Sequence, residues 1–145
     1  MSSVDGNHEF NFCPELACLY SAEFAQGSDG SRFALSGCST ANNLATIKRL
    51  FEHIQPRQTL EIGLCLGGSG LLFTALHQGS GAAPEHQHTA IDPFQISQWK
   101  SAGLMAIQRA GLTDYLDFRE NYSSIELPRL LQERRTFNII YIDGS

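Results

Sequence analysis

The sequence lacks long hydrophobic runs and any excess of positive charge. No apolar stretch approaches the roughly 18 residues that a membrane-spanning helix needs. The first residues, Met1 to Asp5, are polar and do not resemble a signal peptide. The net charge of −5 at pH 7 disfavours a broad binding surface for nucleic acid or anionic lipid. We therefore expect a cytoplasmic protein without membrane or nucleic-acid partners.

Cysteine and histidine are too sparse to form an obvious metal or disulfide framework. The chain has only 4 cysteines, none of them in a C-x-x-C pair, which favours a reduced protein. His86 and His88 lie in a polar loop, but no third ligand stands at a regular spacing, so solvated histidines are favoured over a metal site. His53 and His77 fall in predicted helices and are expected to reach solvent.

What the chain does contain is ordinary for a globular protein. Its 145 residues, 42% hydrophobic and 17% charged, suffice for one domain with a real core. Residues 1–39 are the least patterned part, and we predict a short helix at Pro14–Phe24 and a turn or flexible loop at Gln26–Ser31. We divide the chain into this N-terminal helical and loop segment, 1–39, and a half-domain, 40–145.

An amphipathic helix is predicted at the start of the half-domain. Its apolar residues fall at helical spacing and indicate one buried stripe. Ser39 or Thr40 is placed to cap the start of the helix, and Pro56 follows its end. The residues of the stripe are Leu44, Ile47, Leu50, Phe51 and Ile54.

Beyond this helix the hydrophobic pattern alternates between strands and helices. The last strand is apolar on both faces, which is typical of a central parallel strand covered by helices on each side. The alternation predicts an α/β fold with a doubly wound parallel sheet, incomplete at about four strands, with helices on both faces. The predicted elements are strands at 59–62, 89–92, 116–119 and 137–142, and helices at 69–78, at 97–110 and from Ser123 or Ser124, whose apolar face is Leu127, Leu130 and Leu131.

The ends of the first two strands carry residues suited to a nucleoside with an amino-acid tail. In such sheets ligands bind at the carboxyl ends of the strands. Gly63 and Gly67 allow a tight turn and a close ligand approach, and Ser69 opens a helix whose free N–H groups suit a carboxylate. Asp92 ends the second strand, where an acidic side chain accepts hydrogen bonds from ribose hydroxyls.

The ends of the other two strands complete the pattern. Short polar groups at Glu120–Ser123 suit the edge of an adenine, and Asp143 places a carboxylate at the same crevice. The strand ends thus offer sites for a carboxylate, a ribose, a base and a positively charged group. This combination matches S-adenosylmethionine better than a dinucleotide. The glycine spacing also differs from the G-x-G-x-x-G pattern of dinucleotide-binding turns.

Three segments resemble a known family. The stretch Leu60-Glu61-Ile62-Gly63-x-x-x-Gly67-x-Ser69 resembles motif I of the class I methyltransferases, in the form found among small-molecule O-methyltransferases of the catechol type. Thr89–Phe94 resembles the second motif, and Tyr141–Ser145 resembles the fourth-strand motif of a bacterial subgroup. The resemblance implies a Rossmann-like fold, S-adenosylmethionine as cofactor, and a small-molecule acceptor that is methylated on oxygen.

The resemblance also implies a role for each matching residue. Gly63, Cys65 and Gly67 would line the methionine part, Ser69 would hold its carboxylate, and Asp92 would hold the ribose. Asn121 with Ser123 or Ser124 would flank the adenine, and Asp143 would lie near the amino group or, in a metal-dependent branch, bind a divalent cation. Ser39 and Thr40 match the place where the family closes over the methionine end. The predicted cofactor-binding set is Glu61, Gly63, Cys65, Gly67, Ser69, Asp92, Asn121, Ser123 and Asp143.

The chain departs from the family pattern at its end. The family sheet has seven strands, and the metal-dependent enzymes place further ligands and a lysine base after the aspartate that matches Asp143. The sequence stops at Ser145, so no catalytic residue is assigned and a divalent metal is not supported. We expect a truncated reading frame, and a bare fourth strand leaves a homo-oligomer open.

Plainer interpretations stay open at each position. Gly63 and Gly67 could mark only a tight turn, and Asp92 could cap a helix. Asn121 and the serines could form a turn and a helix cap, and Asp143 could be a turn residue. Trp99 and Phe94 either wall the adenine pocket or pack between helix and sheet. At the level of function, the alternatives are a cofactor-binding remnant without catalysis and an NAD-dependent oxidoreductase.

Overall fold

The computed structural model describes residues 9–144. Residues 1–8 of the N-terminal segment and Ser145 of the fourth-strand motif lie outside the described residues. The helices are α1 (Pro14–Ala22), α2 (Ala41–Ile54), α3 (Gly68–Gly79), α4 (Ala102–Arg109) and α5 (Ser123–Gln132). The strands are β1 (Phe24–Gln26), β2 (Arg32–Ala34), β3 (Thr59–Ile62), β4 (His88–Ile91), β5 (Leu116–Arg119) and β6 (Ile139–Ile142).

The main sheet has four parallel strands in the order β5-β4-β3-β6. The chain runs outward from β3 to β5 on one side and then returns to place β6 on the other side of β3. The order therefore reverses beside β3, which is the arrangement that defines a doubly wound sheet. The predicted α/β fold is confirmed.

Helices cover both faces of the sheet. Alternate side chains of a strand point to opposite faces, so Leu60 of β3 and Ile91 of β4 share one face. There they pack against Leu130 of α5. On the opposite face Ala90 belongs to the larger core, which α1, α2, α3 and α4 build together with Phe73 at its centre. Within residues 9–144, no helix is long and apolar enough to cross a membrane.

The N-terminal segment holds a hairpin that the sequence did not predict. Strands β1 and β2 pair antiparallel, and the predicted loop lies between them, where the N–H of Gly27 bonds the carbonyl of Ser31 at 2.8 Å. The hairpin was not predicted because three-residue strands are too short to show a hydrophobic period in the sequence. The predicted helix before the hairpin is confirmed as α1, and its Leu16 and Leu19 are buried in the same core as α2 and α3.

Some expected apolar faces are exposed. Leu50 and Ile54 of α2 and Leu127 of α5 are exposed, and Leu131 is 77% exposed, so the buried stripes are narrower than predicted. Pro128 lies inside α5, where it leaves one helical carbonyl without its N–H partner.

The last strand was expected to be central and covered on both faces. Instead β6 is an edge strand, with Ile140 at 57% and Ile142 at 68% exposure. That prediction is wrong for the described chain, because no described element packs beyond this edge.

Candidate functional site

The glycine-rich turn joins β3 to α3 at the carboxyl edge of the sheet. Gly63 and Gly67 have φ of +96° and +94°, a conformation that favours glycine. A Cβ on Gly63 would stand 2.8 Å from the carbonyl oxygen of Asp143, and one on Gly67 would stand 3.0 Å from the Cα of Gly103. The sequence predicted room for a ligand here. In the structure, the lack of a Cβ on Gly63 and Gly67 lets the backbone at Asp143 and Gly103 pack closely against the turn.

Asp92 follows β4 and lies directly beside this turn. Its Oδ2 accepts a 2.9 Å hydrogen bond from the N–H of Cys65, and its Oδ1 accepts one of 2.8 Å from the N–H of Phe94. Asp92 does not cap α4, whose N-cap is Ser101. The carboxylate is buried but has lone pairs to spare, because each oxygen can accept more than one hydrogen bond.

Gln95 is a site residue that sequence reasoning missed. Its side chain is fully buried, and its Nε2 donates to the carbonyl of Cys65 at 2.9 Å. Its Oε1 accepts from the N–H of Gly103 at 2.9 Å. Gln95 thus ties the glycine-rich turn to the start of α4. No sequence signal marks it, since a glutamine after Asp92-Pro93-Phe94 looks like any solvated loop residue.

A buried chain of polar side chains runs beneath the turn. The Ser69 hydroxyl donates to the carboxylate of Glu61, and Glu61 Oε1 lies 2.8 Å from His88 Nε2. His88 Nδ1 lies 2.8 Å from Thr59 Oγ1, which in turn lies 2.8 Å from His77 Nε2. We call these five residues the buried chain. The expectation that His77 reaches solvent and that His88 belongs to a solvated loop is wrong, because both are buried.

One assignment of protons satisfies every contact in the buried chain. In this assignment His77 donates to Thr59, Thr59 donates to His88, and His88 donates to the carboxylate of Glu61. Burial, and then the proximity of His88, lower the pKa of His77 to about 4 from its ordinary 6.5. The hydroxyl of Ser69 therefore points inward to Glu61, and only its backbone N–H remains for a ligand carboxylate.

A segment before α2 covers the turn. Ser39 Oγ donates to Asp143 Oδ2 at 2.8 Å and lies 2.7 Å from the hydroxyl of Tyr141. The Tyr20 hydroxyl of α1, another residue that the sequence did not single out, donates to the carbonyl of Ser39. We call Cys38–Thr40 the cover. Thr40 is the N-cap of α2 and accepts from the N–H of Asn43 at 3.1 Å, so the second of the two predicted caps is the one used.

The cover leaves little free space at the turn. A cavity of about 10 Å³ lies between the cover, the turn and Asp143. That volume is about the room of one water molecule. A larger ligand group that lies between the cover and the turn therefore requires the cover to move away.

Asn121 and Ser123 lie on the same edge, at the start of α5. Asn121 Oδ1 accepts from the N–H of Tyr122 at 2.9 Å, and its Nδ2 donates to Glu126 at 3.1 Å. Beside them the exposed rings of Phe94 and Tyr122 meet edge to face, with centroids 6.1 Å apart.

Trp99 and Phe94, for which the sequence allowed either a packing role or a place in the adenine pocket, have different environments in the structure. Trp99 packs edge to face against Phe33 of the hairpin, with centroids 5.8 Å apart, as part of the core periphery. Phe94 is exposed beside the carboxyl ends of the strands. The packing interpretation therefore describes Trp99, and only Phe94 stays available to a ligand.

The predicted site residues thus share one edge of the sheet. Asp92 and Asp143 each contact the turn directly. Asn121 is linked to Asp92 through the carbonyl of Arg119, which accepts hydrogen bonds of 3.1 Å from the backbone N–H groups of both residues. A larger open groove of about 1090 Å³, lined in part by Gln58 and His77, lies at the opposite edge, where parallel sheets do not place ligands. Among residues 9–144, no three His, Cys, Asp or Glu side chains are grouped to hold a metal ion.

Comparison with known proteins identifies the architecture. No known protein family matches the sequence, and no curated protein matches it. The structure is similar to the SAH-bound methyltransferase PaMTH1 of Podospora anserina, with a TM-score of 0.64 at 18% identity, over 97% of this chain and 50% of that one. It is also similar to the O-methyltransferase TomG of Streptomyces achromogenes in complex with SAM, with a TM-score of 0.65 at 13% identity, over 99% of this chain and 55% of that one.

The chain has the class I methyltransferase fold. This Rossmann-like methyltransferase fold agrees with the four-stranded parallel sheet and its flanking helices. The chain spans about half the length of the two solved methyltransferases.

Proposed function

We propose that the chain is the cofactor-binding half of an S-adenosylmethionine-dependent methyltransferase. The observation that carries the proposal is the direct contact between the Gly63–Ser69 turn and two acidic residues, Asp92 and Asp143, which follow the two strands that flank β3. They meet at the carboxyl edge of a doubly wound sheet, where this architecture binds ligands. The two similar structures carry SAH and SAM, which supports the same cofactor here.

The residues at the edge fit the parts of this cofactor. No side chain caps the start of α3 within the described residues, so the N–H groups at Gly68 suit a carboxylate. The exposed carboxylate of Asp143 suits the amino group, and the spare lone pairs of Asp92 suit the ribose hydroxyls. The rings of Phe94 and Tyr122 offer an apolar surface for the adenine.

The chemistry we propose is methyl transfer to an oxygen of a small molecule. The cofactor supplies a methyl group already activated on a sulfonium centre. This chain contributes orientation: Asp92 and Gln95 hold the glycine-rich turn rigid, and Ser39 and Asp143 close over the cavity. The acceptor class and its oxygen follow from the resemblance of the Leu60–Ser69 motif to catechol-type O-methyltransferases.

Calorimetry with two ligands tests the cofactor proposal. We expect the wild-type chain to bind S-adenosylhomocysteine and to show no heat of binding with NAD. Asp92→Ala should weaken S-adenosylhomocysteine binding by about tenfold or more. The matched control is Asp114→Ala, an exposed aspartate just before β5 and therefore away from the carboxyl ends of the strands, which should bind like the wild type. Tighter binding of NAD, or unchanged affinity in Asp92→Ala, would contradict the proposal.

A labelled-methyl assay tests the acceptor class. The chain is incubated with S-adenosylmethionine carrying a labelled methyl group and a panel of phenols and sugars. We expect label on the oxygen of a small acceptor. Binding of the cofactor with no transfer to any member of the panel would favour a cofactor-binding chain without catalysis.

A further inference from the structure

Two cysteines from different segments meet at the mouth of the cavity. Cys38 Sγ of the cover lies 3.2 Å from Cys65 Sγ of the glycine-rich turn. Both are free thiols and partly exposed, so small reagents can reach them. The other two cysteines lie elsewhere, with Cys13 buried and Cys18 exposed on α1.

The two thiols differ in chemical character. The hydrogen bond from Cys65 lowers the pKa of the Cys38 thiol, against the opposing effect of burial. The same contact, followed by burial, raises the pKa of Cys65. Cys38 is therefore the thiol that becomes a nucleophilic thiolate, with Cys65 beside it to resolve a mixed disulfide.

The backbone around the pair favours movement of one partner toward the other. Cys65 is held by its N–H bond to Asp92 and by its carbonyl bond from Gln95. Cys38 follows Gly37, which has φ of +88° and no heavy atom near its Cβ position. A disulfide requires the sulfurs to approach to about 2.05 Å, which a small shift of the cover supplies.

We propose that Cys38 and Cys65 form a reversible disulfide by exchange with a low-molecular-weight disulfide such as oxidised glutathione, and that this bond locks the cover over the cofactor cavity. The Cys38 thiolate attacks one sulfur of the external disulfide and expels a thiolate, forming a mixed disulfide. Cys65 then gives its proton to the first expelled thiolate and attacks the Cys38 sulfur, expelling the second external thiolate, which takes up the proton that Cys38 released to solvent. Two protein thiols are oxidised and one external disulfide is reduced to two thiols.

The lock acts on the site because a ligand group that lies between the cover and the turn needs the cover to open. With the cover closed, the cavity has about 10 Å³, far below the size of a nucleoside. A covalent bond from the cover to the turn keeps this closed form. By linkage, a ligand that needs the open form protects the thiols from oxidation. This second half of the inference rests on the proposed function, whereas the disulfide itself does not.

Peptide mapping tests the disulfide alone. Trypsin cleaves after Arg32, Lys48, Arg57 and Lys100, so Cys38 and Cys65 fall on separate peptides with one cysteine each. After treatment of the wild-type chain with oxidised glutathione, we expect one non-reduced species joining these two peptides. The matched control Cys18→Ser should form the same species, and Cys65→Ser should stop at a glutathione adduct on Cys38. Unmodified thiols, or a stable adduct on Cys38 in the wild type, would overturn the inference.

Calorimetry with S-adenosylhomocysteine then tests the lock. We expect the reduced chain to bind, the oxidised chain to bind about tenfold more weakly or not at all, and dithiothreitol to restore binding. Equal affinity in both states would overturn the lock. If the reduced chain does not bind S-adenosylhomocysteine, the proposed function is wrong, and peptide mapping alone then tests whether the disulfide forms.

Discussion

Two polar clusters lie on opposite faces of the same sheet, and they differ in their access to water. The buried chain, under β3 and β4, has Glu61 and His88 fully enclosed. On the other face, Arg119 pairs with Glu133 at 2.7 Å and with Asp117 at 3.1 Å, in a cluster that solvent reaches. Glutamates in the two clusters are therefore expected to contribute very differently to stability.

The expected difference in stability depends on whether water can replace the hydrogen bonds of a deleted side chain. Where water is present, it takes over the hydrogen bonds of a deleted side chain, and the net contribution of an ion pair is small. In the buried chain nothing else can bond Ser69 and His88, so deletion of Glu61 leaves buried polar groups unsatisfied.

The largest expected effect comes from Glu61→Ala. We expect a loss of about 2–6 kcal/mol in the free energy of unfolding, measured with urea, because the Ser69 hydroxyl and the His88 ring N–H each lose their buried acceptor, at about 1–3 kcal/mol apiece. The matched control is Glu133→Ala in the exposed cluster. A loss below about 1 kcal/mol for Glu61→Ala would erase the contrast between the clusters.

The second effect concerns pH. The folded chain binds a proton at His77 only near pH 4, whereas an unfolded histidine binds one near pH 6.5, so the unfolded state takes up more protons between these values. Stability should fall as the pH falls through this window, by up to about 3 kcal/mol from this residue. His77→Gln should flatten the slope of unfolding free energy against pH. His53→Gln, which changes an exposed histidine of α2, should retain the wild-type slope, and equal slopes in all three chains would contradict the account.

The third effect tests packing around the buried chain. A Cβ at Gly70 would stand 2.5 Å from Leu64 Cδ1 and 3.1 Å from Glu61 Oε1, so Gly70→Ala should cost about 1–3 kcal/mol. Gly79 lies on the same helix with open space around it, and Gly79→Ala should be neutral or slightly stabilising. Thermal unfolding of both variants measures the difference. A tolerated alanine at Gly70 would mean that the region packs loosely.

The smallest effect belongs to the exposed cluster. Glu133→Ala should lower the free energy of unfolding by much less than Glu61→Ala does, and the loss should shrink as salt is added, because solvent and ions screen the pair with Arg119. Urea unfolding at low and high ionic strength gives both values. A cost that salt does not reduce would mean that the cluster behaves like the buried chain.

The sheet could be predicted from the sequence because its signal is local. Apolar alternation predicted the strands at 59–62 and 116–119, which are β3 and β5, and the structure confirms both. The helix predicted from residue 97 begins only at Ala102. The preceding residues form turns, with Lys100 and Ser101 at positive φ, and the amide of Gln95 bonds the start of α4.

The side chains that support the site could not be predicted in the same way. His88 looked like a loop residue because its partner Glu61 lies 27 positions away in the sequence. Gln95 and Tyr20 act through contacts to the backbone of the turn and the cover, which leave no pattern in residue types. The sequence did predict that Asp92 follows a strand beside the glycine-rich turn, since parallel strand ends share one edge.

Backbone amide NMR with S-adenosylhomocysteine tests most directly whether the cofactor binds at the carboxyl edge of the sheet. We predict saturable shifts at Gly63–Ser69, at Asp92–Gln95 and at Asp143. Shifts confined to the groove at the opposite edge, around Gln58 and His77, would contradict the account, as would the absence of any shift.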